Sequence, residues 1–481
     1  MRVHSKEPLV VPFAKGFYGG FKDTYATLTT NNYIPPGYYF GQDVVNDDCG
    51  FLRARPVVGR YVTTAVTASS PIAVFKLAGS YYCIPAAGAI QMCTSTTTPT
   101  WAAVTSSPSY VSNVNVDFIS KPADTTPLAL VSTSTGAQYI ATVTGGAATV
   151  VSSGNAQGLA AQDEGRCFCV NPDHLVYYST RYDYTSGYNN DAGNEWFTIP
   201  EVCDPIASMK NIAGSLYFIQ SGGSSGRIYI WKKLQTYALS SQLIDQTCFT
   251  QVLGVDDAVI ANGNDGISAL GGNICFWARG SGLNIVDEKG TTVVSAPIQA
   301  YNPAGLDYDC IVATDQRSKC IFCKETTGST THVYNMVTGT WSQWNINVTC
   351  KGYGQAGGMF GTALTWAPAY VSAYPTSADQ DTTIVPIVYT PVIDFGLASR
   401  EKFLTEIHCA SRGITEILVY TRLKPADSFT LWKTITTPEQ VTKLDGDHRF
   451  GECFLKISGN NLFLIKELAL VYDIGDTILE V

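Results

Sequence analysis

From Val57 to Pro375 the chain alternates short apolar runs with polar turns rich in Gly, Asp, Ser and Thr. The pattern is plainest between Tyr308 and Ile346. Apolar runs at Cys310 to Ala313, Cys320 to Cys323 and Val333 to Tyr334 are followed by Thr338-Gly339-Thr340-Trp341 and a further tryptophan, Trp344. Short β-rich runs bounded by turn formers read as strands, and Gly between two of them marks a hairpin. The stretch predicts an up-and-down sheet of four strands, the unit from which a β-propeller is built by repetition.

Related units occur upstream. Ala78-Gly-Ser-Tyr-Tyr-Cys-Ile84, Ala213-Gly-Ser-Leu-Tyr-Phe-Ile219 and Gly271-Gly-Asn-Ile-Cys-Phe-Trp277 each set a tight turn before an apolar strand. Second strands follow across Gly-rich turns, as at Arg227 to Trp231 and Leu283 to Val286. Successive units lie roughly 35–75 residues apart, against the ~40–50 of regular propeller repeats. No stretch between Val57 and Pro375 carries helical periodicity beyond a turn or two. The expected fold is all-β, a β-propeller of about six or seven blades with an irregular N-terminal arm and C-terminal closing strands.

The pattern divides the chain into three parts: an arm over 1–56, the propeller over 57–375 and a closing blade or small β domain over 376–481. Pro8, Pro12, Pro35 and Pro36 break up the arm, and its scattered aromatics, Tyr33 and Tyr38 among them, suit docking against a surface. It ends in an Asx-rich turn through Asp43, Asn46 and Asp48, followed by Arg53 and Arg55, expected to share one face of an extended strand. Beyond a polar link at Thr376 to Thr383, strands are expected at Ile384 to Val392, Phe403 to Cys409, Glu416 to Tyr420, Phe454 to Ile457 and Leu462 to Tyr472. Leu468 to Tyr472 is expected to pair back into the ring.

Composition changes this picture in one respect. Hydrophobic residues make up 45% of the chain but charged residues only 15%, where about 25% is usual. Thr, Ser, Asn and Tyr must furnish the surface, which favours large uncharged contact faces. The net charge of −9 opposes binding of nucleic acid through its phosphates, while allowing DNA to pass without adhering. Met1 to Pro8 lacks the apolar core of a signal peptide, and no apolar run approaches the ~20 residues of a membrane span. A soluble protein made in a cytoplasm is expected, with its 14 cysteines as free thiols.

Candidate chemistry is thin. Cys320-x-x-Cys323 has the spacing of a thiolate pair, but strand alternation sends the two side chains to opposite faces, and Cys167-x-Cys169 offers no second CxxC. His4, His174, His332, His408 and His448 show no helical i, i+4 pair and read as surface or strand-end residues. Asp256-Asp257 and Asp287-Glu288 sit beside Gly-rich turns, where Asp bonds the local backbone. Neither a phosphate-cradling Gly loop nor a Gly-x-Ser-x-Gly elbow is present. No catalytic residue, metal ligand or cofactor is expected.

With these residues laid out, the chain resembles the β-propeller proteins of the neck and tail of short-tailed bacteriophages, the head-to-tail stabilisation, tail hub or nozzle proteins. The likeness rests on three stretches. They are the arm's end Asn46-Asp-Asp-Cys-Gly-Phe-Leu52-Arg-Ala-Arg55-Pro56; Leu175 to Ser179 with Asn194-Glu-Trp-Phe197 and Ile212 to Phe218; and His332-Val-Tyr-Asn-Met-Val-Thr-Gly-Thr-Trp341-Ser-Gln-Trp344 with Pro391 to Gly396. Cys49 departs from the arm's pattern. The resemblance implies a non-enzymatic virion protein, a homo-oligomer, expected as a hexamer, that meets adaptor or other tail proteins and lets DNA pass without specific binding. It makes Tyr33, Tyr38, Asp43, Asn46, Asp48, Arg53 and Arg55 candidates for subunit contact. The rival reading is a glycan-binding or glycan-degrading propeller used for host attachment, with tryptophans as sugar platforms.

Overall fold

A computed structural model describes residues 384–395 and 400–478, most of 263–361, and chiefly the strands between 71 and 251; of the arm it describes 3–4, 9–11, 40–46 and 51–55. Tyr33, Tyr38 and Asp48 lie outside the described residues.

Six sheet units follow one another along the chain among those residues. The first runs Pro71–Leu77, Ser80–Pro85, Gln91–Cys93 and Trp101–Ala103; the last runs Cys310–Asp315, Cys320–Glu325, Thr331–Asn335 and Thr340–Trp344. The latter is the four-stranded unit expected from Tyr308 to Ile346. Each sheet is antiparallel and meanders outward from its first strand. The first strands Val114–Ile119, Leu159–Asp163, Ile206–Ile212, Ile267–Leu270 and Cys310–Asp315 lie side by side around a common axis. The protein is a β-propeller.

Cores between neighbouring sheets hold the ring together. Phe75, Tyr82 and Ile84 of the first sheet pack on Val114, Val116 and Val131 of the second. Trp277 and Cys275 of the fifth pack on Val312, Cys323 and Trp341 of the sixth. Apolar residues on both faces of each strand are what a sheet buried between two others requires. The helices Gly263–Gly266 and Ala296–Gln299 are short, each of 4 residues.

Closure differs from expectation. Val348–Tyr353, which directly follows the sixth sheet, pairs in parallel with Pro71–Leu77 of the first, and so joins the two ends of the ring. Leu468 to Tyr472 does not return to the ring. It lies in Glu452–Ile478, where Leu468, Ala469 and Leu470 face Cys409, His408 and Ile407 on one side and Val11, Val10 and Leu9 of the arm on the other. The continuous apolar run Leu468 to Tyr472 does form a strand, but it is sandwiched between Arg400–Arg422 and the arm strand Leu9–Val11.

The C-terminal unit is a sheet folded over one core. Its long strands, Arg400–Arg422 and Glu452–Ile478, pair along most of their length. The ladder breaks between Arg412 and Ile414, where Asn460 to Phe463 bulge out. Gly413 sits at the break with φ +67°, and a Cβ there would come within 2.5 Å of the Leu462 backbone. Only glycine accepts that conformation at that distance. Leu404 and Ile407 before the bend, and Ile417 and Val419 after it, then share a core with Val44 and Leu52 of the arm. The arm is thus built into the C-terminal unit. Through Phe40–Gln42 and Ile387–Tyr389 that unit's sheet is continuous with the sixth sheet of the propeller.

Candidate functional site

The arm residues proposed for contact fall into different environments. Asp43 has φ +54°, in the left-handed region that Asp tolerates better than most residues, and the turn sends its carboxylate inward. Arg55 Nε donates to Asp43 Oδ1 at 2.6 Å, and both side chains are buried. Asn345 N donates to the same Oδ1 at 2.9 Å, and an Arg55 terminal nitrogen donates to Asn345 O at 3.2 Å. The guanidinium lies 5.9 Å from the ring centre of Trp344, whose Nε1 donates to Val44 O at 3.3 Å. Asp43 and Arg55 therefore latch the arm onto the last propeller strand within one chain and are not available to a neighbouring subunit. Desolvation outweighs the attraction of Arg55 and holds the Asp43 carboxyl above its usual range.

Arg53 is exposed while Arg55 is buried, so the two do not share a face. The strand Leu52–Ala54 ends before Arg55, and the alternation ends with it. Asn46 is buried, its side-chain amide without a hydrogen-bond partner among the described residues.

Cys320 and Cys323 enter different cores, one with Phe322 and Trp344, the other with Val312 and Trp341. Trp341 and Trp344 are both fully buried, as blade packing rather than as exposed platforms. Burial pushes the Cys320 and Cys453 thiols up to about 12 and that of Cys409 to about 11. The eleven described cysteines, all buried and none in a disulfide, are expected to resist iodoacetamide at pH 8 in the native protein and to react on denaturation. Mass spectrometry of the alkylated peptides reads this directly; rapid native labelling of Cys320 would contradict the packing. His332, expected at a surface or strand end, is instead buried in mid-strand.

A concavity with a volume of about 710 Å³ opens on the propeller axis. Sequence reading missed it, because its lining comes from inner strands far apart in the chain. At its floor Lys351 is stapled in place: its Nζ donates to Asn264 O and to Ile267 O (3.3 Å) and lies 3.5 Å from Asp265 Oδ1. Tyr353 OH donates to Val114 O, and Asn264 Nδ2 donates to the same carbonyl at 2.7 Å. Ser208 Oγ donates to Asn264 Oδ1 at 2.6 Å. Second, fourth and fifth units and the closing strand are thus tied through one polar network.

Lys210 stands beside this network and donates to Asn115 Oδ1. Its Nζ and that of Lys351 lie 5.5 and 5.2 Å from the Tyr353 ring centre. Desolvation lowers the pKa of both lysines, and the charge of Lys351 lowers that of Lys210 further. One signal in the sequence marks the pair: each is a lone lysine in an otherwise apolar or uncharged inner strand, after Met209 and after Cys350.

No family model matches the chain, and no curated protein matches it. Solved structures share the fold only. Virginiamycin B lyase from Staphylococcus aureus aligns at 9% identity over 63% of this chain and 96% of its own, with a TM-score of 0.42. A structure described as YCF48 bound to D1 peptide aligns at 9% identity over 67% of this chain and 98% of its own, with a TM-score of 0.43. Likeness at this level says nothing about activity.

Proposed function

We propose that the protein is a structural component of a bacteriophage virion, made in the host cytoplasm and assembled into a ring in the tail or head-to-tail connector. The ring, a hexamer on this reading, stacks with adaptor or other tail proteins and surrounds DNA without specific contacts. Its role is mechanical rather than enzymatic. The resemblance of the three sequence stretches supports this reading. The observation that carries it is where the exposed apolar residues lie.

Four of the six exposed large hydrophobics among the described residues, Val385, Leu431, Val441 and Leu462, belong to the C-terminal unit. Leu431 (51% exposed) lies on Thr430–Ile435 and Val441 (40% exposed) on Val441–Lys443. Each of these strands pairs on one side only among the described residues, with Arg400–Arg422. An open strand edge carrying apolar side chains is a template for pairing with another chain. A neighbouring copy that meets these edges with a different surface of its own makes a head-to-tail contact, and such contacts build a ring when their rotation closes.

The double substitution Leu431→Lys, Val441→Lys is expected to abolish assembly while leaving the far-ultraviolet circular dichroism unchanged. Light scattering on the eluting species should move from a multiple of the 51.8 kDa chain mass to that mass itself. Wild-type protein that elutes as a monomer would remove the basis of this reading.

A further inference from the structure

The chain as a whole is acidic, yet its axial cavity is not. Four cations line it, Lys76, Lys210, Arg317 and Lys351, against two carboxylates, Asp117 and Asp315. Both carboxylates already accept hydrogen bonds from the backbone beside them. Asp315 accepts from the backbone N–H groups of Arg317 (3.1 Å) and Ser318 (3.2 Å), and from Ser318 Oγ at 2.7 Å. Asp117 accepts from Phe118 N at 2.8 Å.

The two deep cations differ in what they have left to offer. Lys351 has three acceptors, Asn264 O, Ile267 O and Asp265, matching its three N–H bonds. Lys210 has one, Asn115; its ammonium keeps two donors with no protein acceptor among the described residues. Those donors border a space of about 710 Å³, within the range of small-molecule sites, about 300–1,000 Å³. Lys210 and Lys351 flank the same tyrosine ring, so the pair repel one another across a partly dry site. An anion between Lys210 and the rim would relieve that repulsion and accept the two donors.

We propose that the axial cavity binds a small-molecule oxyanion, a carboxylate or phosphate group seated on Lys210 Nζ, with Arg317 and Lys76 at the mouth. Tyr353 and Phe118 supply the apolar wall. Gly354 keeps that wall in place, since at φ +57° a Cβ would come within 2.3 Å of the Phe118 ring. The site belongs to the propeller alone and does not depend on ring assembly.

Binding is expected to carry a proton signature. The charged groups acting on Lys210 are Lys351 from the closing strand, which lowers its proton affinity, and Asp117 and Asp265, which raise it; desolvation is the largest effect and lowers it. An oxyanion arriving beside Lys210 favours its ammonium form, so binding should draw a proton from solution.

The test is calorimetric titration of the full chain with inorganic pyrophosphate and with citrate at pH 8, in two buffers of different ionisation heat. The wild type should bind at least one probe with a Kd below about 1 mM and take up a fraction of a proton. Lys210→Met should weaken binding by about tenfold or more and abolish the uptake, while Lys433→Met, at an exposed pair with Asp445, should change neither. Lys210→Arg should retain binding without proton uptake, since arginine is already charged; this variant decides the matter if Lys210→Met fails to fold. Absence of binding to both probes, affinity unchanged in Lys210→Met, or uptake retained in Lys210→Arg would overturn the proposal.

Discussion

Replacing Arg55 with methionine is expected to cost about 3–5 kcal/mol of stability at neutral pH, the range for breaking a buried ion pair from one side. The loss comes from what stays behind. Asp43 would remain buried with the Asn345 amide and the Gln42 side chain as its hydrogen-bond donors but no cation beside it, and Asn345 O would lose a donor. The arm, whose Val44 and Leu52 complete the C-terminal core, would loosen with it. The pH dependence has a definite sign. Asp43 already has a raised pKa in the folded protein, with Arg55 among the causes that lower it; removing Arg55 raises it further. A carboxyl with a raised folded pKa is most compatible with folding when protonated. The deficit of the variant should therefore shrink as pH falls from 7 towards 5. Urea unfolding at both pH values measures this. An unchanged midpoint at pH 7 would show that the latch adds nothing to the fold. The same contacts predict that deleting 1–50 damages the C-terminal sheet itself, since Val44 lies in its core.

Acid is expected to destabilise the wild-type protein through His332. Burial pushes this imidazole from its ordinary value of 6.5 down to about 4, and its Nδ1 has no partner among the described residues. The unfolded chain takes up the proton near 6.5; the folded chain resists until about 4. Stability supplied by the neutral ring is therefore complete above 6.5 and declines as pH falls through that window. The total reaches about 3 kcal/mol. Other groups titrate in the same range, so the informative quantity is the difference from His332→Phe, which keeps an aromatic ring and cannot charge. The variant should lose about 3 kcal/mol less than wild type between pH 7 and pH 4. Parallel curves would place His332 in contact with water.

How much of this was legible in the sequence depends on distance along the chain. The sixth sheet was readable because all its strands lie between Cys310 and Trp344 and are joined by tight turns; alternation alone separated Cys320 from Cys323. Closure by Val348–Tyr353 was not readable, since it depends on parallel pairing with a strand more than 270 residues earlier, Lys351 opposite Ala73. The latch was half visible. Asp43 and Arg55 stood out as polar residues after an aromatic-rich arm, but their common partner, Asn345, is 302 residues from Asp43. Without it they read as surface contacts. The axial cavity was invisible for the same reason: Asn115, Lys210 and Lys351 meet only once the ring closes. Tryptophans offered a choice between platform and core, and Trp344, with Phe322 at 5.4 Å and edge-on, belongs to the core.

Negative-stain electron microscopy of the purified full-length protein tests the central claim most directly. A closed ring of subunits, lost in Leu431→Lys, Val441→Lys, is the predicted result. Single propeller-sized particles with no ring at any protein concentration, from a preparation that binds or cleaves polysaccharide, would contradict it.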